Sequence, residues 1–148
     1  MVKINFVCFG NICRSPMAEF VMKDLVQKAG FEKDFVIASS GCHPAVGTPI
    51  HYNTCRVLKK NNVPYTNRTS KQFTAQIYKD FDYIICMDTW NVLDAKKISG
   101  GDPDGKIFLM MSFAGESRDV DDPYYTDNYE VTYADILRGC QALLEKVR

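Results

Sequence analysis

A cysteine and an arginine that could bind one anion together lie near the start of the chain, at Cys8 and Arg14. The residues between them are Phe9, Gly10, Asn11, Ile12 and Cys13. A loop of this length can wrap around an oxyanion with its backbone N–H groups pointing inward. Ser15-Pro16 follows and is typical of a helix start, with Ser15 at the N-cap and Pro16 at the first helical position. The positive end of that helix and the Arg14 guanidinium would complete a phosphate-binding loop over residues 8–15.

Cys8 is the predicted nucleophile of this loop. The field that binds an anion also favours the thiolate form of a cysteine, which is its reactive form. Ser15 is placed to hydrogen-bond that thiolate. Attack on a phosphate monoester would transfer the phosphoryl group to the sulfur, and water would then hydrolyse the phosphocysteine. The predicted reaction needs no metal and no cofactor.

Asp122 is the predicted general acid, because the alkoxide or phenoxide that leaves must be protonated. The following Pro123 restricts the backbone of Asp122 to an extended conformation, which helps to aim the carboxyl group. Asp119 and Asp121 are rival candidates on the same acidic segment. Aromatic side chains are predicted to form the rim of the cleft and to stack on an aromatic substrate, and these are Phe9, Tyr124 and Tyr125.

Apolar runs alternate with helical patterns along the chain, and this alternation predicts the elements that position the site. Strands are predicted at residues 3–8, 35–38, 83–87 and 107–110. Helices are predicted over 15–30, 52–60, 88–97 and 131–147, with a further one starting near Thr69 or Ser70 and an acidic loop at 114–127. Such alternation predicts one α/β domain over residues 1–148, with a parallel sheet covered by helices on both faces. The site is expected beyond the carboxyl ends of the strands, where Cys8 lies.

Composition restricts the expected partners. The 18 basic and 18 acidic side chains give a formal net charge of zero. This balance argues against nucleic acid as a partner, because nucleic acids are bound through basic surfaces. No apolar run is long enough for a bilayer and the first residues do not resemble a signal peptide, so we expect a cytoplasmic protein with no membrane partner. The six cysteines are then expected to be mostly reduced thiols.

A zinc site is a second possible use of the cysteines. His51 and Cys55 are four residues apart on a predicted helix, and Cys42-His43 precede them. This spacing can place metal ligands on one helix face. No paired Cys-x-x-Cys accompanies them, so we expect surface or packing roles and no metal site.

Residues 7–19 resemble, almost position by position, the N-terminal signature of the low-molecular-weight protein tyrosine phosphatases. Further similar segments are Ser39-Ser40-Gly41, residues 81–88 and Asp122-Pro123-Tyr124. The resemblance implies a Rossmann-like three-layer fold with a four-stranded parallel sheet, and hydrolysis of phosphotyrosine through a phosphocysteine at Cys8. It also implies that the strained backbone of Asn11 holds the loop open. Cys13 would form a reversible disulfide with Cys8 under oxidation and so protect it.

The chain departs from the family pattern at positions around the loop. Pro44 lacks the aromatic neighbour that often lines the cleft of this family. Ile50-His51 stand where a polar or acidic residue is usual, and a histidine that is common near Asn67 is missing. These departures bear on substrate preference and on the support of the loop.

Two other functions are compatible with such a loop. A thiol-dependent arsenate reductase resembles the same fold, but it needs a relay of nearby cysteines, and no cysteine follows Cys86 until Cys140. A catalytically silent anion-binding module would not need an acid such as Asp122. We therefore expect a phosphatase whose partners are phosphotyrosine-containing proteins, phosphate and other oxyanions.

Overall fold

The computed structural model describes the chain from Met1 to Arg148. Its strands are β1 Val2–Cys8, β2 Phe35–Gly41, β3 Tyr83–Cys86 and β4 Ile107–Leu109. Its helices are α1 Arg14–Lys28, α2 Tyr52–Lys60, α3 Ala75–Asp80, α4 Thr89–Ser99, α5 Pro123–Thr126 and α6 Tyr129–Val147, with short 3-10 helices at Glu32–Asp34 and Met110–Ala114. The strands form one four-stranded sheet in the order β2-β1-β3-β4, and every neighbouring pair is parallel. The predicted fold class is confirmed.

Strand β1 lies inside the sheet, between β2 and β3, and carries Cys8 at its carboxyl end. Its side chains alternate between the two faces, so that Phe6 joins one hydrophobic core and Val7 joins the core on the other face. Burial on both faces explains why the strand is nearly continuous in apolar residues. The parallel register pairs Cys8 with Gly41, and β3 ends beside β1 at Cys86. The carboxyl ends of three strands therefore meet at one edge.

Helices cover both faces of the sheet. α1 and α6 pack on one face, where the larger core includes Met17 and Leu143. α3 and α4 cover the other face through Tyr78 and Ala95. This arrangement buries the apolar side of each helix against the sheet. None of the helices combines the length and the apolar character that crossing a membrane requires.

The segment between α2 and β3 differs from the sequence prediction. The predicted helix start near Thr69 or Ser70 is wrong, because α3 begins at Ala75. Thr74 caps α3, and its hydroxyl accepts a hydrogen bond from a first-turn backbone N–H at 3.1 Å. The Ser70 hydroxyl instead donates to the carbonyl of Ala45 at 2.6 Å and so joins two loops. A serine or threonine hydroxyl can cap a helix, so residue type does not distinguish Ser70 from Thr74. Only the tertiary contact of Ser70 with Ala45 does.

Gly41, at the end of β2, lies against the loop of residues 8–15. A Cβ at this position would lie 2.8 Å from the Phe9 carbonyl oxygen and 3.0 Å from the Asn11 backbone nitrogen. A Cβ cannot lie as close as 2.8 Å to backbone, and a distance of 3.0 Å would require the loop backbone to move. The close approach of β2 to the 8–15 loop therefore depends on the missing side chain of residue 41.

Gly41→Ala is expected to lower the free energy of unfolding by about 1–3 kcal/mol, because the added methyl group would displace loop backbone. Urea unfolding followed by circular dichroism measures this difference. Gly10→Ala is the matched control in the same loop, since a Cβ there would meet only Ile12 Cγ1, at 3.9 Å. Equal unfolding free energies for the two variants would contradict the packing argument.

Candidate active site

A cleft of about 340 Å³ opens at the edge of the sheet where the strands end. The residues that line it are Cys8, Phe9, Gly10, Ile12, Cys13, Arg14, His43, Ala45, Thr48, Asp122, Tyr124 and Tyr125. Two predicted site residues, Asn11 and Ser15, are fully buried behind this lining. His43, Ala45 and Thr48 are additions that the sequence pattern did not indicate. One cleft thus brings together residues that are more than a hundred positions apart in the chain.

Two groups that can donate hydrogen bonds lie next to the Cys8 sulfur. The backbone N–H of Asn11 donates to Sγ at 3.2 Å, and the Ser15 hydroxyl lies 2.9 Å from Sγ. Both groups can donate to a thiolate and stabilise it. The prediction that Ser15 is the N-cap of α1 is wrong, because α1 begins at Arg14 and Cys13 occupies the cap position. The Ser15 hydroxyl faces the Cys8 thiol instead of a helix end.

Arg14 lines the same cleft from the first turn of α1 and is almost fully buried. Its Nη1 donates to Asp88 Oδ2 and to the carbonyl of Val120, both at 2.8 Å, and its Nη2 donates to Asp122 Oδ2 at 3.4 Å. Burial lowers the pKa of Arg14, but the negative charges of Cys8, Asp122 and Asp88 outweigh burial and raise it. The guanidinium is therefore fixed in orientation and charged.

Asp122 is the only one of the three candidate acids that lines the cleft. Its Oδ1 accepts a hydrogen bond from the backbone N–H of Tyr124 at 3.1 Å and caps α5, a single turn within the predicted acidic loop. Asp119 Oδ1 accepts two hydrogen bonds from Thr89, at 3.0 and 2.9 Å. Asp121 is exposed and does not line the cleft. The geometry favours Asp122 over its rivals.

Two aromatic pairs belong to the cleft lining. The rings of Tyr124 and Tyr125 meet edge-on with centroids 5.4 Å apart. The rings of Phe9 and His43 lie 5.1 Å apart. The expectation that no aromatic side chain lines the cleft near Pro44 is wrong, because His43 does so. A backbone hydrogen bond from His43 to the Phe9 carbonyl, at 2.9 Å, brings these two rings together, and this contact cannot be read from the local sequence.

The family described as low molecular weight phosphotyrosine protein phosphatase matches residues 3–148. The chain belongs to this family. It is 39% identical to the low molecular weight protein-tyrosine-phosphatase PtpA of Staphylococcus aureus, over 99% of this chain and 94% of PtpA. The crystal structure of YfkJ from Bacillus subtilis has a TM-score of 0.95 at 36% identity, and the match covers 99% of this chain and 94% of YfkJ. SP-PTP, a low molecular weight protein tyrosine phosphatase from Streptococcus pyogenes, has a TM-score of 0.90 at 41% identity. This match covers 100% of this chain and 94% of SP-PTP.

Asn11 is the anchor of the 8–15 loop in this low-molecular-weight phosphatase. Its φ of 57° lies in the left-handed region, which is uncommon for a residue other than glycine. Its Nδ2 donates to the hydroxyls of Ser15 and Ser39, at 2.8 and 3.0 Å, and its Oδ1 accepts from the backbone N–H of Lys71 at 3.0 Å. These bonds hold Asn11 in its strained conformation. The left-handed backbone agrees with the strain that the family resemblance implied.

Arg68 supports Asn11 from outside the loop, and the sequence did not identify it. Its Nη1 donates to the Asn11 carbonyl at 2.8 Å. Its Nη2 donates to Asn11 Oδ1 and to the Ser39 hydroxyl, the latter at 3.1 Å. Burial lowers the pKa of Arg68, and nearby negative charges partly offset this effect. Arg68 directly follows Asn67, so an arginine supports the loop in the region where the histidine common in the family is missing.

Cys13 is the second thiol in the cleft of this phosphatase. Burial raises the pKa of Cys13 to about 11, although a hydrogen bond with the Tyr129 hydroxyl, 3.6 Å from Sγ, acts in the opposite direction. The thiol is therefore neutral at physiological pH.

His51, a candidate metal ligand in the sequence, has other contacts. Its ring stacks on that of Tyr129, with centroids 5.3 Å apart, and its Nδ1 accepts a hydrogen bond from the Asn53 N–H at 3.1 Å and so caps α2. No group of three or more His, Cys, Asp or Glu side chains is arranged to hold a metal ion.

Arg68→Ala is expected to lower kcat for an aryl phosphate about 10- to 100-fold, because small displacements of catalytic groups have effects of this size. Steady-state kinetics measures the change. Arg56→Ala is the matched control, since Arg56 is an exposed arginine that pairs with Glu130 outside the cleft. Indistinguishable kcat values for the two variants would show that Arg68 does not support the loop.

Alkylation of Cys13 should depend steeply on pH. In a Cys8→Ser variant, its rate of reaction with iodoacetamide should still rise about tenfold per pH unit between pH 7 and 9, because only the thiolate reacts and burial, the largest cause of the raised pKa of Cys13, is retained. Mass spectrometry of the Cys13 peptide gives the rate. Glutathione is the reference thiol, and its rate should begin to level off above roughly pH 9, because a free thiol has a pKa of about 8.5. A Cys13 rate that levels off together with the reference would contradict the effect of burial.

Proposed function

We propose that the enzyme hydrolyses phosphotyrosine and aryl phosphate monoesters through a phosphocysteine intermediate on Cys8. The observation that carries this proposal is the convergence of the Cys8 thiol, the Arg14 guanidinium and the Asp122 carboxylate on one cleft. Nη2 of Arg14 and Oδ2 of Asp122 are 3.4 Å apart. When Arg14 binds the phosphoryl group of a substrate, the oxygen of the leaving group is therefore within reach of Asp122. Binding alone would not require an acid at this position.

In the first step, the Cys8 thiolate attacks phosphorus. The S–P bond forms while the P–O bond to the phenolic oxygen breaks. Backbone N–H groups of the 8–15 loop and the Arg14 guanidinium bind the non-bridging oxygens, which carry negative charge in the transition state. Protonated Asp122 donates its proton to the leaving phenolic oxygen. The products are a free tyrosine side chain and phosphocysteine.

In the second step, water attacks the phosphocysteine and the P–S bond breaks. The Asp122 carboxylate accepts a proton from this water and is ready for the next cycle. Cys8 leaves as a thiolate, which the Asn11 N–H and the Ser15 hydroxyl stabilise. Inorganic phosphate is released. The guanidinium and the loop N–H groups supply the positive charge for both steps, so the scheme requires no metal and no cofactor.

The walls of the cleft support an aryl substrate. Phe9 and His43 form one aromatic pair, and Tyr124 and Tyr125 form the other. Aromatic side chains pack favourably on the ring of a phosphotyrosine. A phosphoserine side chain has no ring to fill this space. We therefore expect phosphotyrosine-containing proteins as substrates and phosphate or other oxyanions as competing ligands.

Cys13 is proposed to protect Cys8 from irreversible oxidation. A peroxide oxidises the Cys8 thiolate to the sulfenic acid and is itself reduced. The Cys13 thiol then attacks the sulfenic sulfur, releases water and forms a disulfide. A thiol reductant reverses the reaction by exchange. Both sulfur atoms belong to residues of the same cleft lining, which supports their pairing.

A thiol-dependent arsenate reductase is the alternative for this fold, and the remaining cysteines argue against it. Burial raises the pKa of Cys42 to about 12 and that of Cys86 well above its usual value. Both side chains are also buried and, unlike Cys13, they do not line the cleft, so neither is placed to form a relay with Cys8. We also propose a cytoplasmic location without nucleic acid or membrane partners, because the net charge is zero and the six cysteines are free thiols.

Phosphate release from phosphotyrosine and phosphoserine peptides, with and without a chelator, tests the proposed reaction. The phosphotyrosine peptide should be hydrolysed much faster, and the chelator should have no effect.

Two substitutions test the roles of the reacting groups. Cys8→Ser should abolish turnover, whereas phosphate binding, measured by calorimetry, should be retained. Asp122→Asn should lower kcat for aryl phosphates about 10²-fold or more, as expected for a general acid.

Asp119→Asn and Asp121→Asn are the matched controls, because both residues belong to the same acidic segment as Asp122. A loss in either control as large as that in Asp122→Asn would overturn the assignment of the acid. Full activity of Cys8→Ser would refute the phosphocysteine. Thiol-dependent turnover of arsenate without hydrolysis of aryl phosphate would favour the reductase.

A further inference from the structure

The only tryptophan of the chain, Trp90, lies on the surface of α4 and is 75% exposed. Leu93, three residues further along α4, is 47% exposed. Burial of a tryptophan against another surface is favourable in free energy, because its side chain has one of the largest apolar areas. Single exposed apolar residues are common, but adjacent ones beside a functional cleft are typical of interaction sites.

Trp90 lies close to the cleft because α4 begins beside it. Asp88, the N-cap of α4, is the residue whose carboxylate accepts from Arg14 at 2.8 Å. Side chains on a helix lean toward its N-terminus, so a residue in the first turn covers the surface next to the helix start. We therefore expect the indole of Trp90 to cover the surface at the end of α4 that adjoins Arg14.

A chain of contacts joins this helix face to the cleft lining. Asp94 lies one turn after Trp90 on the same side of α4. Its Oδ2 is 3.0 Å from Nε2 of His43, and the His43 ring lies 5.1 Å from the ring of Phe9. Phe9 and His43 both line the cleft. The surface formed by His43, Asp94, Trp90 and Leu93, called the α4 platform below, is thus continuous with the cleft.

We propose that the α4 platform binds the residues that flank the phosphotyrosine of a protein substrate, with an apolar side chain of the substrate packed on Trp90. This proposal rests on the proposed phosphotyrosine hydrolysis. The spacing of the Phe9 and His43 rings, the contact between His43 and Asp94 and one helical turn of α4 together span roughly 13 Å. An extended peptide covers that distance in about four residues, at roughly 3.3 Å per residue. The favoured substrates carry a leucine-like residue about four positions from the phosphotyrosine.

A second copy of the chain is a poorer occupant for the α4 platform. A stable dimer buries roughly 800 Å² on each partner. An aromatic side chain contributes about 150–250 Å², so Trp90 and Leu93 together supply only part of that area. A short peptide segment that is already held by its phosphotyrosine needs far less additional contact.

The kinetic test compares a small aryl phosphate with phosphotyrosine peptides. para-Nitrophenyl phosphate has no residues beyond its ring, so it occupies the cleft without extending to Trp90 and Leu93. The peptides consist of Gly and Ser around the phosphotyrosine, with one Leu placed at each position up to four residues away in turn. At least one Leu position should raise kcat/KM of the unmodified enzyme about tenfold over the Gly/Ser peptide, the effect of one well-packed apolar side chain.

Trp90→Ala should remove that preference and leave para-nitrophenyl phosphate turnover unchanged within about twofold. Leu93→Ala should weaken the preference. Val36→Ala is the matched control, because Val36 is a partly exposed apolar residue whose register partner is Lys3, near the start of β1 and far from the cleft. An equal loss on both substrate classes in Trp90→Ala, or no loss of the Leu preference, would overturn the proposal.

Fluorescence of the single tryptophan gives a direct measure of binding. In the Cys8→Ser variant, the Leu peptide should shift the Trp90 emission to shorter wavelength, whereas inorganic phosphate should not. No shift with the preferred peptide would count against the α4 platform. Sedimentation that reveals a dimer dependent on Trp90 would assign the surface to a second copy instead.

These measurements separate the two proposals. An unmodified enzyme that releases no phosphate from para-nitrophenyl phosphate contradicts the proposed reaction, whatever Trp90 does. An active enzyme without the Leu preference contradicts only the α4 platform.

Discussion

A loop that binds an anion through its backbone must turn its N–H groups inward and its carbonyl groups outward. The carbonyls of Phe9, Asn11 and Ile12 lie outside regular secondary structure, so each one needs a partner from elsewhere in the chain, and the Cys13 carbonyl adds such a partner to the first hydrogen bond of α1. The partners come from three separate segments: the loop after β2, the start of α2 and the loop between α2 and α3. The backbone N–H of His43 donates to Phe9, Arg68 donates to Asn11, the backbone N–H of His51 donates to Ile12, and the Thr54 hydroxyl donates to Cys13. The geometry of the 8–15 loop is therefore a property of the whole fold.

Burial of the Arg14 charge imposes a second constraint. An isolated guanidinium would be costly in the interior, so it must have acidic and carbonyl partners. Asp88 meets this need and at the same time caps α4, where its Oδ1 accepts from the Asn91 N–H at 2.8 Å. The orientation of Arg14 is thereby connected to β3 and α4. Asp122 is the more exposed of the two carboxylate partners of Arg14, which is compatible with the general-acid role proposed for it.

The sequence identified the parts of the site whose signal is local. Cys8, Arg14 and the order of strands and helices follow from short patterns of residue type and spacing, and Asp122 follows from its position before a proline. The sequence does not indicate Arg68, because its contact with Asn11 spans 57 positions of the chain. It does not indicate His43 either, because the contact of His43 with Phe9 depends on the pairing of β1 with β2. Ser15 and Ser70 were assigned to helix starts because a serine hydroxyl caps a helix or bonds a distant group equally well. All four errors concern contacts between residues that are not close neighbours in the sequence.

The proposed nucleophile and the rim of the cleft are carried by different kinds of structure. Cys8 ends an interior strand that is buried on both faces, whereas His43, Tyr124 and Tyr125 lie in a surface loop and a single helical turn. Interior strands open rarely, and surface segments open often and tolerate substitution. In evolutionary terms, the rim can therefore diversify toward new phosphoproteins while the reacting groups stay in place. One scaffold of this kind can give rise to paralogues that share a reaction and differ in their targets.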